Sequence, residues 1–162
     1  MFLGQADGTF NEAGGEAGIA DFGKARGAVI ADLNGDGMLD LVLVERLANV
    51  RVYRNVGVGT AAAPQPVGNW IGLSLQQAGA NRDAIGSWVE VKAGDTQEQR
   101  ELTIGGGHAS GDLAPLHFGL GSAGQAQVRI TWPDGSQGDW QTVDANGTYL
   151  IQPGVAPQAV AR

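Results

Sequence analysis

The sequence has no cysteine among its 162 residues. That absence excludes disulfide bonds, thiolate zinc sites, iron–sulfur clusters and cysteine nucleophiles. No apolar run approaches the roughly 18 residues that a membrane-spanning helix needs. The first ten residues, MFLGQADGTF, lack both the basic and the apolar part of a signal peptide. The sequence therefore predicts no membrane span, and it leaves the redox compartment open.

Basic residues are also scarce, with 10 Lys and Arg against 17 Asp and Glu, which gives a formal net charge of −7. A chain with this acidic balance repels polyanions, so we expect neither a nucleic acid nor an anionic membrane as partner. Hydrophobic residues make up 43% and charged residues 17% of the chain. This composition is sufficient for a buried core and argues against general disorder.

Glycine is abundant, at 27 residues, and short apolar or alternating runs recur between Gly, Asn and Asp. Such spacing is typical of an antiparallel all-β protein, and no long helical periodicity competes with it. The predicted strands are residues 28–31, 41–45, 50–55, 70–75, 88–93, 97–104, 116–119, 128–132, 138–143 and 148–152.

Residues 58–67 show no periodicity and contain two prolines, so this segment is interpreted as a linker. It divides a first unit, residues 1–57, from a second unit, residues 68–154. Residues 155–162 are expected to form a disordered tail. The second unit has enough predicted strands for a small sandwich, whereas the first has about three and is marginal on its own.

The segment 32–40, DLNGDGMLD, carries the clearest chemical signal, because oxygen-bearing side chains stand at loop positions 1, 3, 5 and 9 with Gly at position 6. Ca²⁺ takes six to eight hard oxygen ligands, which this spacing supplies. Strand-like flanks, and Leu43 at position 12 in place of Glu, exclude an EF-hand. The alternative is a polar turn that binds nothing. The predicted ligands are the side chains of Asp32, Asn34, Asp36 and Asp40 and the backbone carbonyl of Met38.

Two parts of the chain resemble known families. Residues 3–10, LGQADGTF, and the segment DLNGDGMLDLVLV resemble an FG-GAP/VCBS repeat, the blade unit of integrin-like β-propellers. The second unit resembles the ASPIC/UnbV domain of the cartilage acidic protein family. This likeness is carried by NRDAIG at 81–86, GGGH at 105–108, LHFGLG at 116–121 and VRITWPDG at 128–135.

The resemblance implies an all-β chain with a partial propeller blade followed by a small antiparallel β-sandwich-like domain. It further implies the C-terminal piece of a longer secreted or cell-surface protein, whose signal peptide is lost with the missing N-terminal part. Each repeat loop would hold one Ca²⁺. The expected partners are the remaining blades, because one repeat cannot close a propeller, and a protein or glycan at the cell surface or matrix.

Three further residues are candidate ligand contacts. Arg82 has the fork geometry that holds a carboxylate or a sugar hydroxyl, although the preferred interpretation is that Arg82 and Asp83 satisfy carbonyl and amide groups of the loop inside the domain. Trp88 shares a strand face with polar residues, and an exposed Trp88 would be a platform for a sugar ring, as in a carbohydrate-binding module. The preferred interpretation is that a neighbouring strand or the propeller covers Trp88.

An enzymatic function is not predicted. His108, Ser110 and Asp112 have the residue types of a hydrolytic triad, but they follow one another at intervals of two along a single Gly-rich loop. Triads take their nucleophile, base and orienting group from separate elements. The second histidine, His117, lies between apolar neighbours and is interpreted as a structural histidine bonded to the backbone.

Overall fold

The computed structural model describes residues 1–5, 7–19, 23–108 and 111–160. Through these residues the chain forms strands and no helix, so the all-β prediction is confirmed. None of the described residues belongs to a helix that is long and apolar enough to cross a membrane. Ser110, from the triad interpretation, lies outside the described residues. The strands are β1 Phe2–Gly4, β2 Phe10–Glu12, β3 Ala25–Ala31, β4 Asp40–Glu45, β5 Arg51–Tyr53, β6 Asn69–Leu75, β7 Trp88–Ala93, β8 Thr96–Glu101, β9 Leu116–Gly121, β10 Gln125–Thr131, β11 Gln141–Asp144, β12 Gly147–Ile151 and β13 Gln158–Ala159.

The first unit contains the β1–β2 hairpin and an antiparallel sheet in the order β3-β4-β5. Residues directly opposite each other in such a sheet share a face. One face therefore carries Val29, Val42 and Val52, and the other carries Ile30, Leu41 and Tyr53. The sheet is apolar on both faces, which is typical of a sheet covered on both sides.

The second unit is built from two four-stranded sheets, in the orders β11-β10-β7-β8 and β13-β12-β6-β9. One pair departs from the antiparallel sandwich that the sequence predicted, because β12 runs parallel to β6. These two strands are far apart in the chain, so no hairpin forces them to be antiparallel. The parallel pair places β12 beside β6, the first strand of the sandwich.

The core of the sandwich follows from the alternation along its strands. Val89 and Val91 point inward from β7, and Val128 and Ile130 point inward from β10, while the residues between them face outward. They pack against the apolar face of the second sheet, where Phe118 is 1% exposed. The strand β10 thus buries one face and leaves the other more accessible, whereas β6 is buried on both faces along Trp70–Leu73.

Three segments differ from their sequence-based predictions. The tail carries β13, which pairs with β12, so residues 155–160 are not a disordered tail throughout. The predicted linker folds back on itself, with Val58 N–H donating to the Gln65 carbonyl at 3.0 Å. The hairpin β1–β2 was not predicted, because its three-residue strands are too short to show an alternation.

Candidate functional site

The predicted calcium loop joins two paired strands, since β3 ends at Ala31 and β4 begins at Asp40. The loop turns sharply at Gly35 and Gly37, whose φ angles are 74° and 86°. A residue with a Cβ is strained at such angles, which accounts for glycine at these positions. The strand–loop–strand setting agrees with the sequence-based exclusion of an EF-hand.

Asp32 organises the first half of the loop. Its Oδ1 accepts the backbone N–H of Gly35 at 2.8 Å and of Asp36 at 3.1 Å, and its Oδ2 accepts that of Gly37 at 2.8 Å. These bonds hold the carboxylate inside the turn. A carboxylate has about four lone-pair sites, so three amide bonds leave acceptor capacity for a cation.

Asp36 lies on the more exposed side of the loop. Its Oδ1 accepts the Met38 N–H at 2.9 Å, and its Oδ2 accepts the Asn34 side-chain amide at 2.8 Å. The Arg54 guanidinium lies 3.7 Å from the same Oδ2. Burial raises the pKa of Asp36, but the Met38 and Asn34 hydrogen bonds and the Arg54 charge outweigh it, so the pKa lies below its ordinary value.

Asp40 ties the loop to the rest of the first unit. It is 3% exposed, and its two oxygens accept the N–H of Leu33 at 3.2 Å and the N–H of Asn55 at 2.8 Å. The Asn55 bond connects the loop to the chain that follows β5. Asp40 is therefore a structural anchor of the loop.

The four predicted side-chain ligands thus share one loop and the hard oxygen chemistry that Ca²⁺ prefers. In the part of the chain that the structure describes, however, no three Asp, Glu, His or Cys side chains gather as a metal-binding group. The carboxylates accept backbone N–H groups of the loop and its surroundings, and Asp36 also faces Asn34 and Arg54. The donor set fits Ca²⁺ by its chemistry, and its convergence on one point stays a prediction.

The loop also contacts the sandwich. The Gly37 carbonyl accepts a hydrogen bond from His117 Nε2 at 2.9 Å, and the His117 ring stacks on Trp70 with centroids 5.4 Å apart. A Cβ on Gly37 would overlap the Trp70 indole. Glycine is thus required here for close approach as well as for its φ angle. The interpretation of His117 as a structural histidine agrees with this bond, whereas its partner, 80 residues away, was missed.

The candidate contacts Arg82 and Asp83 lie on the loop between β6 and β7, and both are exposed. The Arg82 carbonyl accepts the Gln77 N–H at 2.8 Å, and the Arg82 side chain borders a cleft of about 480 Å³ together with Gln152. Trp88 begins a strand of the other sheet. The structure therefore does not bring Trp88 into the cleft beside Arg82.

A family profile described as "ASPIC and UnbV" matches residues 77–158, half of the chain. The chain belongs to the ASPIC and UnbV family. This confirms the resemblance of the second unit. The ASPIC and UnbV match does not include residues 1–57, so the FG-GAP/VCBS repeat stays a prediction.

Three relatives share the name cartilage acidic protein 1. The chain is 31% identical to the Homo sapiens and Mus musculus proteins over 118 residues, which is 70% of the chain and 16% and 17% of those proteins. It is 28% identical to the Xenopus tropicalis protein over 122 residues, which is 75% of the chain and 18% of that protein. The chain therefore matches about a sixth of the length of these relatives.

The ASPIC and UnbV unit exposes one face of the β11-β10-β7-β8 sheet. Trp88 on this face is 42% exposed, so the described part of the chain does not cover it fully. Beside it, Arg129 donates two hydrogen bonds to Glu90, at 2.8 and 2.9 Å. The Arg129 hydrogen bonds lower the pKa of Glu90 against the effect of burial, and the same pair raises the pKa of Arg129. Local sequence patterns do not reveal this pair, because its members are 39 residues apart.

Proposed function

We propose that the chain is a non-enzymatic, calcium-stabilised interaction or adhesion module of an extracellular protein. The observation that carries the proposal is the loop between β3 and β4, which combines the Asp32, Asn34, Asp36 and Asp40 oxygens with a direct contact to the ASPIC and UnbV unit through Gly37. An ion held there would stabilise the joint between the two units.

The role of Ca²⁺ follows from the charges of the loop. Three carboxylates lie within nine residues, and the nearby cation is Arg54, whose guanidinium is 3.7 Å from Asp36. Like charges brought close together oppose the folded loop. A divalent cation would offset this repulsion, and the amide bonds to Asp32 already fix the turn in which it would be held.

We further propose that residues 1–57 are an FG-GAP/VCBS blade, packed in the longer protein against other blades. The support is the β3-β4-β5 sheet, which is apolar on both faces. Val52 is 60% exposed on one face and Ile30 is 57% exposed on the other. Radial packing of further sheets would cover both faces.

An extracellular location is supported by the name of the relatives, which links them to cartilage and to acidity. This chain is acidic as well, with a net charge of −7. Acidic surface charge keeps a protein soluble and repels nucleic acids. The proposed partners are accordingly a protein or a glycan of the cell surface or matrix, together with the remaining blades.

The proposal is tested by isothermal titration of the EDTA-treated chain with Ca²⁺ and, separately, with Mg²⁺. We expect one Ca²⁺ per chain and weaker binding of Mg²⁺, because Mg²⁺ requires a stricter octahedral geometry. The double variant Asp32→Asn/Asp36→Asn should lose at least tenfold in Ca²⁺ affinity. Asp95→Asn, at the exposed β7–β8 turn, is the matched control and should bind normally. No heat at millimolar Ca²⁺ would refute the calcium proposal.

A further inference from the structure

The outward face of the β11-β10-β7-β8 sheet is a regular grid of side chains. Strand register places opposite residues of neighbouring strands in rows across this face. We name it the polar sheet face. Its rows are Glu101, Trp88 and Thr131, then Gln99, Glu90 and Arg129, then Gln97, Lys92, Gln127 and Thr142.

The polar sheet face is electrically balanced, although the whole chain carries −7. Its two cations, Lys92 and Arg129, match its two carboxylates, Glu90 and Glu101. Arg129 and Glu90 are bonded to each other in bidentate geometry, so their charges are largely satisfied within the protein. A face of this kind attracts neither a polyanion nor a polycation, and it suits a neutral ligand.

Two indoles border the face. Trp88 is 42% exposed at one end. Trp140 stands one residue before β11, where its ring contacts Lys92 Nζ at 4.1 Å and the Arg129 guanidinium carbon at 4.5 Å. The two tryptophans are two strands and one row apart, which corresponds to roughly 12 Å between their Cα atoms at ordinary sheet spacing. A ligand that reaches both is an extended chain of rings and not a single sugar.

Around the indoles the face carries amides and hydroxyls: Gln127, Thr131 and Thr142 lie on β10 and β11, and Gln97 and Gln99 lie on β8, beyond Trp88. Each Gln amide both donates and accepts, and each Thr hydroxyl does the same, which matches the mixed donor and acceptor character of sugar hydroxyls. The strand β8 is exposed along its whole length, so Gln97 and Gln99 are accessible. Arg129 is held by Glu90 through Nε and Nη2, which leaves its Nη1 donors for a further partner.

We propose that the polar sheet face binds a neutral oligosaccharide, with Trp88 stacking on one sugar ring and the Gln and Thr side chains bonding to its hydroxyls. The inference rests on the proposed function only in treating the ASPIC and UnbV unit as a binding module, and it does not involve the calcium loop. A protein partner is less well matched, because Trp88 is the one large exposed apolar side chain among the ten residues of the grid.

The test is binding of the intact chain to neutral hexasaccharides of glucose (β1,4 and α1,4), xylose, mannose and N-acetylglucosamine, first on an array and then by calorimetry. A heparin hexasaccharide is the polyanionic comparison. We expect at least one neutral hexasaccharide to bind, and Trp88→Ala to weaken its binding at least tenfold. Phe10→Ala, which removes an aromatic ring that is 71% exposed in the first unit, is the matched control and should bind as the unmodified chain does.

A second variant, Gln99→Ala/Gln127→Ala, keeps the test valid if Trp88→Ala does not fold, and it should also weaken binding. The inference is overturned if no neutral hexasaccharide binds at millimolar concentration, if heparin alone binds, or if Trp88→Ala and Gln99→Ala/Gln127→Ala, shown to be folded, bind as tightly as the unmodified chain. Repeating the titration in EDTA separates the two proposals, since glycan binding should persist without Ca²⁺.

Discussion

The two units of the chain are stabilised in different ways. In the sandwich, sixteen buried apolar residues form one cluster between two sheets. In the first unit, Ala13 and Met38 are the buried apolar residues among those described, and Val52 and Ile30 remain more than half exposed. The sandwich therefore has its own core, whereas the first unit leaves apolar surface in solvent.

This contrast indicates where each unit obtains its stability. Burial of apolar area is worth about 25 cal/mol per Å², so an enclosed core stabilises the sandwich without outside help. A small sheet with open faces is marginal alone. The first unit instead depends on contacts beyond its own strands, namely the Gly37 junction with His117 and Trp70, the proposed ion and the proposed neighbouring blades.

The largest effect is expected from Phe118→Ala, which empties a fully enclosed position of the sandwich core. Truncation of a buried Phe costs about 3–5 kcal/mol. Phe10→Ala in the first unit removes a ring that is 71% exposed and should change the free energy of unfolding by about 0.5 kcal/mol or less. Urea denaturation followed by far-ultraviolet circular dichroism, which reports the strands of both units, measures both. Equal losses of unfolding free energy in the two variants would contradict the difference between the two units.

An intermediate effect is expected from Gly37→Ala at the junction. The new Cβ would overlap the Trp70 indole and would also sit at a φ of 86°, so we expect a loss of about 1–3 kcal/mol. Gly8→Ala is the matched control, because Gly8 has a φ of 82° and open space around its Cβ position. If Gly37→Ala and Gly8→Ala lower the free energy of unfolding by the same amount, the close approach of the loop to Trp70 contributes nothing to stability.

A smaller, pH-dependent effect is expected from Arg129→Gln. Arg129 holds the pKa of Glu90 below its ordinary value of 4.5, with a lesser contribution from the Lys92 charge. A lowered folded-state pKa stabilises the fold above the unfolded value, and this contribution disappears as the pH falls through the folded-state pKa. The variant should therefore be less stable than the unmodified chain at pH 7, with the difference shrinking below about pH 4.5. Thermal unfolding across pH 3 to 7 measures it, and a difference independent of pH would contradict the pair's role.

The periodicity of apolar residues in the sequence was sufficient to predict the longer strands of the sandwich. Val128 and Ile130 alternate with Gln127 and Arg129, and burial in β10 follows that alternation, whereas in β7 Glu90 is buried at 8% exposure beside Val89 and Val91. The short strands β1, β2 and β13 were not predictable in this way, because two or three residues contain too little of a repeat. The parallel pairing of β12 with β6 depends on tertiary packing, which local patterns do not record.

In the candidate sites, too, local sequence patterns predicted some features, whereas others depend on tertiary packing. Local spacing identified the segment from Asp32 to Asp40, and the structure places it between two strands as expected. The contact of Gly37 with His117 and the pairing of Glu90 with Arg129 join residues distant in sequence. Such contacts follow from strand register, which a single sequence does not specify.

The most direct test of the central claim is native-state hydrogen exchange of the intact chain with Ca²⁺ and with EDTA. We expect slow exchange of the β6, β7, β9 and β10 amides in both conditions, and exchange of the β3, β4 and residue 32–40 amides that slows markedly when Ca²⁺ is present. Protection of β3 and β4 that equals that of the sandwich in EDTA, or that does not change with Ca²⁺, would contradict it.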